Sequence, residues 1–110
     1  MRINLNLGCS LQAMKTMEDN SYDLAVVDPP YGLAEAGAYN HTSGRSKMYS
    51  DKMDKWDTRP SQEYFDQLFR VSKNQIIFGM NYFTDMIPPS RCFIVWDKHM
   101  RNKLSFSEAE

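Results

Sequence analysis

The hydrophobic pattern switches between the two-residue period of strands and the longer period of helices, with glycines, prolines and polar clusters separating the segments. Strands are predicted at Arg2–Leu7, Asp23–Asp28, Gln75–Phe78 and Cys92–Trp96. Helices are predicted from Ser10 as a cap to Asp19–Asn20, from Pro60–Ser61 onward, and over Asn81–Met86. The apolar residues assigned to the core are Met14, Met17, Phe65, Leu68, Phe69 and Phe83. This order of elements predicts an α/β fold with an open, mostly parallel sheet flanked by helices.

The carboxyl ends of the predicted strands carry the residues best placed for chemistry. The strand before Asp28 has an apolar middle, which predicts a strand buried on both faces. Asp28, Gly79 and Asp97 each stand at the end of a predicted strand. In open α/β sheets, ligands bind beyond the carboxyl ends of the strands. The pattern therefore predicts a binding site at this edge of the sheet.

Composition limits the class of protein. A chain of 110 residues that is 42% hydrophobic supports one modest domain with a packed core, which argues against disorder. A net charge of −1 neither indicates nor excludes a nucleic-acid partner. Cys9 and Cys92 fit no disulfide or metal-ligand spacing, so both are predicted to be free thiols and no metal site is predicted. With no signal-peptide pattern and no run long enough to span a membrane, a cytoplasmic protein is expected.

The segment from Gly32 to Arg59 is polar and lacks periodicity, which predicts a long mobile loop at about 32–59. Aromatic and cationic side chains alternate there, a mixture that suits phosphate contact and base stacking. Candidate DNA contacts are Tyr39, Arg45 and Lys47 in this loop and Lys98 and Arg101 in the basic run after the last predicted strand. A solvated loop and a solvated connection explain the same residues, and both interpretations stay open.

The most informative residues are Asp28, Pro29, Pro30 and Tyr31, which directly follow a predicted buried strand. The exocyclic amine of adenine or cytosine is a poor nucleophile because its lone pair is delocalised into the ring. The Asp28 carboxylate and the Pro29 carbonyl, held side by side, would accept both N–H groups and aim the lone pair at a methyl donor. Pro30 would stiffen the turn. Tyr31 would offer a flat face for a base removed from its helix.

This Asp28–Tyr31 motif resembles the signature of the DNA amino-methyltransferases, which use S-adenosylmethionine to methylate adenine N6 or cytosine N4. The resemblance extends along the chain in the order expected of the family's phage-type members. Segments Leu7–Lys15, Asn74–Phe83, Pro88–Lys98 and Ser105–Glu110 resemble, in turn, the region upstream of the signature, the two downstream strands and the start of the next strand.

The resemblance implies a partial Rossmann-like fold, S-adenosylmethionine as cofactor, DNA as substrate, and Asp28, Pro29, Pro30 and Tyr31 as catalytic residues. It puts the cofactor near Cys9, Asp28 and Gly79. Aspartate in the first motif position favours adenine N6. Two departures stand out: Cys9 replaces the family's usual acidic residue, and the Phe-x-Gly-x-Gly turn of its cofactor site is absent. The chain, 1–110, is therefore expected to be the catalytic part, without the C-terminal cofactor segment.

Three other interpretations remain. The chain would be a truncated or degenerate methyltransferase fragment, inactive and forming a homodimer through exposed sheet edges. It would alternatively methylate RNA or a protein glutamine. Thirdly, it would bind nucleic acid without catalysis, with a steep salt dependence and no response to the cofactor.

Overall fold

Two helices pack on one face of a two-stranded parallel sheet in the computed structural model, which describes residues 2–33 and 57–99. The elements are α1 (Ser10–Lys15), β1 (Ala25–Val27), α2 (Gln62–Val71), β2 (Gln75–Ile77) and a 3₁₀-helix (Met80–Tyr82). This is a small α/β unit, as the sequence pattern predicts at the level of fold class. Of the described helices, none has the length and apolar character needed to cross a membrane.

The sheet brings the ends of its two strands together. β1 and β2 run parallel, with Val26 beside Ile76 and Val27 beside Ile77. The pairing continues past the strands, because the Phe78 amide donates to the Val27 carbonyl at 2.9 Å. Asp28 and Gly79 consequently follow their strands at the same edge of the sheet. The predicted meeting of these two strand ends is confirmed.

The core lies between the helices and the inner face of the sheet. α2 forms because its apolar residues recur every three or four positions, and Phe65, Leu68 and Val71 are buried along this stripe. Met14 from α1 and Phe83 complete the buried cluster. Met17 and Phe69 pack against it and are only partly buried. The predicted core residues therefore all belong to the core or its border.

At the end of α2, the side chain of Ser72 bonds a carbonyl of the last helical turn. Ser72 is 2% exposed, and its hydroxyl donates to the Leu68 carbonyl at 2.6 Å. The Ser72 backbone turns to an extended conformation, and β2 begins three residues later. The start agrees with the prediction from Pro60–Ser61: Ser61 is the N-cap, although its side chain makes no capping hydrogen bond.

α1 is shorter than predicted, and an arginine from α2 bonds the carbonyls at its end. The guanidinium of Arg70 donates to the Met14 carbonyl at 2.7 Å and to the Met17 carbonyl at 2.9 Å, and so satisfies acceptors that the end of a helix leaves open. It also pairs with Asp19 at 2.6 Å. Cys9, rather than the predicted Ser10, occupies the N-cap position.

Several predicted elements are absent or reduced. Segments 2–7 and 92–96 contain no regular strand, and their apolar side chains are exposed. β1 was expected to be buried on both faces, but Val26 is 58% exposed, because within the described residues only one face of the sheet carries helices. Alternation of apolar residues decides which way side chains point, whereas a strand also needs a paired neighbour. The short helix predicted over Asn81–Met86 is a 3₁₀-helix followed by turns.

Candidate active site

Asp28 stands one residue beyond β1, with its side chain exposed at the carboxyl edge of the sheet. The turn that follows it is packed: Pro29 is buried and Pro30 is half-buried. The Tyr31 hydroxyl donates to Asp28 Oδ1 at 2.9 Å, so the first and last residues of the motif are joined. The four residues of the motif therefore form one local unit beyond the end of β1.

The ring of Tyr31 is part of an aromatic cluster. It stacks on Tyr82, with ring centroids 4.7 Å apart and an interplanar angle of 20°. Phe83 approaches the same ring at 6.1 Å with a tilted geometry. Offset stacking of this kind is favourable beyond the area that it buries. Tyr31 is thus held at two points, by its hydroxyl on Asp28 and by its ring on Tyr82.

Gly79 makes room for Tyr31. Its φ of +66° lies in the left-handed region that favours glycine. A Cβ at this position would lie 2.3 Å from Cε1 of Tyr31, far inside van der Waals contact. The edge of the Tyr31 ring therefore packs directly against Gly79, just beyond β2. The sequence prediction assigns Gly79 to the cofactor, and what the structure places against it is Tyr31.

Gly32, directly after the motif, is fixed by residues that come 25 or more positions later. Its amide donates to Asp57 Oδ1 at 3.1 Å, and the Asp57 side chain is buried. Gly32 has a φ of +71°, and a Cβ there would lie 2.8 Å from Cβ of Arg59. Gly32 and Leu33 at one end of the predicted loop, and Asp57 at the other, are therefore buried. Residues 34–56 of the predicted mobile loop lie outside the described residues, and its mobility stays a prediction.

Arg59 makes several hydrogen bonds near the motif. Its guanidinium forms two hydrogen bonds to the Asp85 carboxylate and donates to the Tyr82 carbonyl at 2.8 Å. The hydrogen bond from Arg59 lowers the pKa of the Asp85 carboxyl below its usual value. The guanidinium carbon also lies 5.9 Å from the centroid of the Phe83 ring, within cation–π range.

Sequence reasoning missed the structural roles of Asp57, Arg59 and Tyr82. The available signal was the run Asp57-Thr-Arg-Pro60 immediately before α2, where a polar segment meets a helix start. Charged residues in such a position are commonly solvated, and their partners 25 residues away leave no local pattern. Tyr82 follows an apolar strand and a glycine, and sequence spacing does not reveal that it stacks on Tyr31.

An open, mostly apolar groove of about 420 Å³ runs beside β1. Its lining includes Asn6, Gly8, Cys9, Met14, Val26 and Val27. Cys9, an exposed free thiol, is thus on the wall of this open groove, while Asp28 and Gly79 are outside the lining residues. The structure brings two of the three predicted cofactor residues to one sheet edge and puts the third in the groove. Val27 connects the two regions, because it lines the groove and directly precedes Asp28.

The predicted DNA contacts fall mostly outside the described residues: Tyr39, Arg45, Lys47 and Arg101. Lys98 is described, and its Nζ lies 5.5 Å from the centroid of the Trp96 ring. Trp96 in turn meets Phe78, the residue after β2, edge to face at 6.3 Å. Lys98 is therefore near the carboxyl edge of the sheet. Asp97 accepts a hydrogen bond from the His99 amide at 2.7 Å.

Among residues 2–33 and 57–99 there is no group of three His, Cys, Asp or Glu side chains that could hold a metal ion. No family model, curated protein or solved structure matches this chain in sequence or fold comparisons.

Proposed function

We propose that this chain is the catalytic part of an S-adenosylmethionine-dependent DNA amino-methyltransferase that acts on adenine N6. The observation that supports it most is the exposed Asp28 carboxylate at the end of a parallel strand, followed by a buried proline turn and by Tyr31. In this proposal the small α/β unit is part of a Rossmann-like sheet, in which sites at carboxyl ends of strands are the rule.

Asp28 and Pro29 would act by orientation. The carboxylate and the neighbouring main-chain carbonyl would each accept one N–H of the target amine, which localises the nitrogen lone pair and directs it away from the two acceptors. The buried Pro29 and the half-buried Pro30 keep the two acceptors in a fixed relationship, so little reorganisation is needed when the amine arrives. Held in this way, the amine would present its lone pair to the methyl carbon of the donor, and the extra proton of the methylated amine would be lost to water.

The hydrogen bond of Tyr31 must change when a base binds, because the tyrosine hydroxyl donates to an Asp28 carboxylate oxygen that the target amine would also use. The amine would replace the phenol at Asp28 Oδ1, or bind the other carboxylate oxygen beside it. In either case the tyrosine ring supplies the stacking surface and the carboxylate remains an acceptor throughout. Tyr31 would thus satisfy Asp28 until a base is bound.

The cofactor supplies the electrophilic methyl group. The groove beside β1 has a volume within the usual range for small-molecule sites and an apolar lining that suits a purine. Asn6 and Cys9 would provide polar contacts there, and Val27 carries the groove up to the residue before Asp28. The groove fits the cofactor in size and polarity, and Asp28 would meet the cofactor at the sheet edge, where the ring of Tyr31 lies against Gly79.

The test is transfer of labelled methyl groups from S-adenosylmethionine to DNA by the protein that contains this chain. Asp28→Ala should lower the rate by at least about 100-fold, because amine orientation is lost. Asp66→Ala is the matched control, since Asp66 is an exposed carboxylate on α2 that bonds Gln62. Full activity of Asp28→Ala would disprove the mechanism. Circular dichroism of both variants checks that the fold is kept.

A second candidate is a methyltransferase-like chain that binds DNA but does not transfer methyl groups. The specific observation in its favour is that the Tyr31 hydroxyl and ring are both engaged inside the protein, on Asp28 and Tyr82. Calorimetric titration with S-adenosylmethionine separates the candidates. Stoichiometric binding favours the enzyme, whereas DNA binding without any heat from the cofactor favours the second.

A further inference from the structure

Arg59 is connected to Tyr31 through Tyr82. The guanidinium donates to the main-chain carbonyl of Tyr82 at 2.8 Å, and the side chain of Tyr82 stacks on Tyr31 at 4.7 Å. The hydrogen bond fixes the end of the 3₁₀-helix, and with it the position from which the Tyr82 ring projects. A displacement of this carbonyl would move the stacking surface under Tyr31.

A second connection between Arg59 and Tyr31 passes through Gly32, the residue that follows Tyr31 in the sequence. Gly32 follows Tyr31, and its α-carbon packs so closely on the Cβ of Arg59 that only glycine fits. The Asp57 carboxylate, two residues before Arg59, accepts the Gly32 amide hydrogen. Residues 57–59 therefore fix Gly32, directly after the Asp28–Tyr31 motif. The guanidinium of Arg59 fixes Tyr82, whose ring stacks on Tyr31.

The shape of the guanidinium matters for this arrangement. Two of its nitrogens divide their hydrogen bonds between Asp85 and the Tyr82 carbonyl, a planar geometry that an ammonium group cannot reproduce. Nε of Arg59 is buried and has no hydrogen-bond partner within the described residues, which indicates that the Asp85 and Tyr82 contacts set the orientation of the group.

We propose that Arg59 is a positioning residue for Tyr31: through the Tyr82 carbonyl and Gly32 it fixes the ring on which the flipped base would stack. This role deepens the proposed methyltransferase function and rests on it for its catalytic consequence. Arg59 touches neither the base nor the cofactor in this scheme. Its effect passes through the ring of Tyr31, so the position of that ring is the quantity to measure.

The first arm of the experiment needs no activity. The protein is labelled with 3-fluorotyrosine, and the ¹⁹F resonances of Tyr31 and Tyr82 are assigned with Tyr31→Phe and Tyr82→Phe. Arg59→Lys should shift or broaden both resonances. Lys73→Gln is the control, because it breaks the exposed ion pair with Asp23 at the opposite end of the strands and should leave them unchanged. Unchanged resonances in a folded Arg59→Lys variant would overturn the proposal.

The second arm measures methyl transfer to DNA that carries adenine at the target position. Base stacking is followed separately by fluorescence, in DNA that carries 2-aminopurine at that position and cannot accept a methyl group there. Arg59→Lys should lower kcat by about 10- to 100-fold, as expected for misplaced reacting groups, with the KM for S-adenosylmethionine unchanged. The 2-aminopurine fluorescence should change with it. Normal kcat together with displaced resonances would also overturn the catalytic part of the proposal.

Two further outcomes are covered by the design. If Arg59→Lys does not fold, Asp85→Asn is used instead, since it releases the guanidinium from the opposite side while Arg59 keeps the Tyr82 carbonyl. It should give smaller shifts of the same two resonances, and no shift would count against the role. If the unmodified protein transfers no methyl groups, the proposed function fails, and the first arm still decides whether Arg59 positions Tyr31.

Discussion

The ring edge of Tyr31 occupies the space where any residue other than glycine at position 79 would carry its Cβ, 2.3 Å from Cε1 of the ring. This contact joins the ends of β1 and β2, because Tyr31 follows the first strand and Gly79 follows the second. The geometry of the motif therefore depends on a residue nearly fifty positions away in the sequence.

Gly79→Ala should destabilise the protein and displace Tyr31. The left-handed φ alone costs roughly 1–2 kcal/mol for a residue with a Cβ, and the overlap with the ring adds to this. Urea unfolding measures the change in the free energy of unfolding. Gly8→Ala is the matched control, because a Cβ there meets nothing within 4 Å and Gly8 has no positive φ. Equal stability of the two variants would contradict the packing described.

Tyr31→Phe and Tyr31→Ala separate the two contacts of the tyrosine. Phenylalanine keeps the ring on Tyr82 and loses only the hydrogen bond to the exposed Asp28, so methyl transfer should be largely retained. Alanine removes the stacking surface, which is worth roughly 1–3 kcal/mol per base, and should weaken both DNA binding and transfer. Steady-state kinetics on both variants checks this; a loss of activity in Tyr31→Phe as large as in Tyr31→Ala would show that the hydroxyl is essential.

The sequence predicted those elements whose pattern is complete within a few residues. α2 carries an apolar stripe over ten residues, and β1 and β2 have short apolar middles closed by Pro29 and Gly79. The site at the strand ends followed from the same reasoning, because parallel strands place their carboxyl ends together. Local periodicity therefore sufficed for the position of Asp28.

What the sequence did not predict depends on contacts between distant residues. The exposure of Val26 depends on whether a second layer of structure covers that face of the sheet, and the residue pattern of β1 does not reveal this. The strand predicted at Cys92–Trp96 lacks a regular ladder because a strand also needs a paired neighbour, which the alternation of its own residues does not supply. In the sequence, Arg59 is one of several cations at the end of a polar segment. Its hydrogen bond to the Tyr82 carbonyl joins residues 23 positions apart, and no sequence pattern predicts it.

Of the two serines at the ends of α2, the C-terminal Ser72 should contribute more to stability than Ser61 at the N-cap, where serine usually contributes most. Ser61 is the N-cap, a position where replacement of serine by alanine typically costs about 1 kcal/mol, but its side chain makes no capping bond. Ser61→Ala should therefore change stability by less than about 0.5 kcal/mol. Ser72→Ala should cost roughly 1–3 kcal/mol, because the buried hydroxyl donates to Leu68 and accepts from Gln75. Thermal unfolding of both variants gives the comparison, and a larger loss from Ser61→Ala would refute the assignment.

The Arg59–Asp85 pair should make part of the stability depend on acid. The hydrogen bond from Arg59, the largest influence on this carboxyl, lowers the pKa of Asp85 in the folded protein below the ordinary value of 3.8. A carboxyl with a lowered folded-state pKa stabilises the fold fully above its unfolded-state pKa, and this contribution is lost as the pH falls through the folded-state value. Asp85→Asn should therefore lower Tm at pH 7, and the difference from the unmodified protein should shrink as the pH falls below about 3.8. Asp66→Asn is the control, because Asp66 bonds the neutral side chain of Gln62 and has no arginine partner in the described structure. A Tm difference for Asp85→Asn that stays constant from pH 7 to pH 2.5 would mean that the ion pair does not stabilise the fold, since only the charged form of Asp85 attracts the guanidinium.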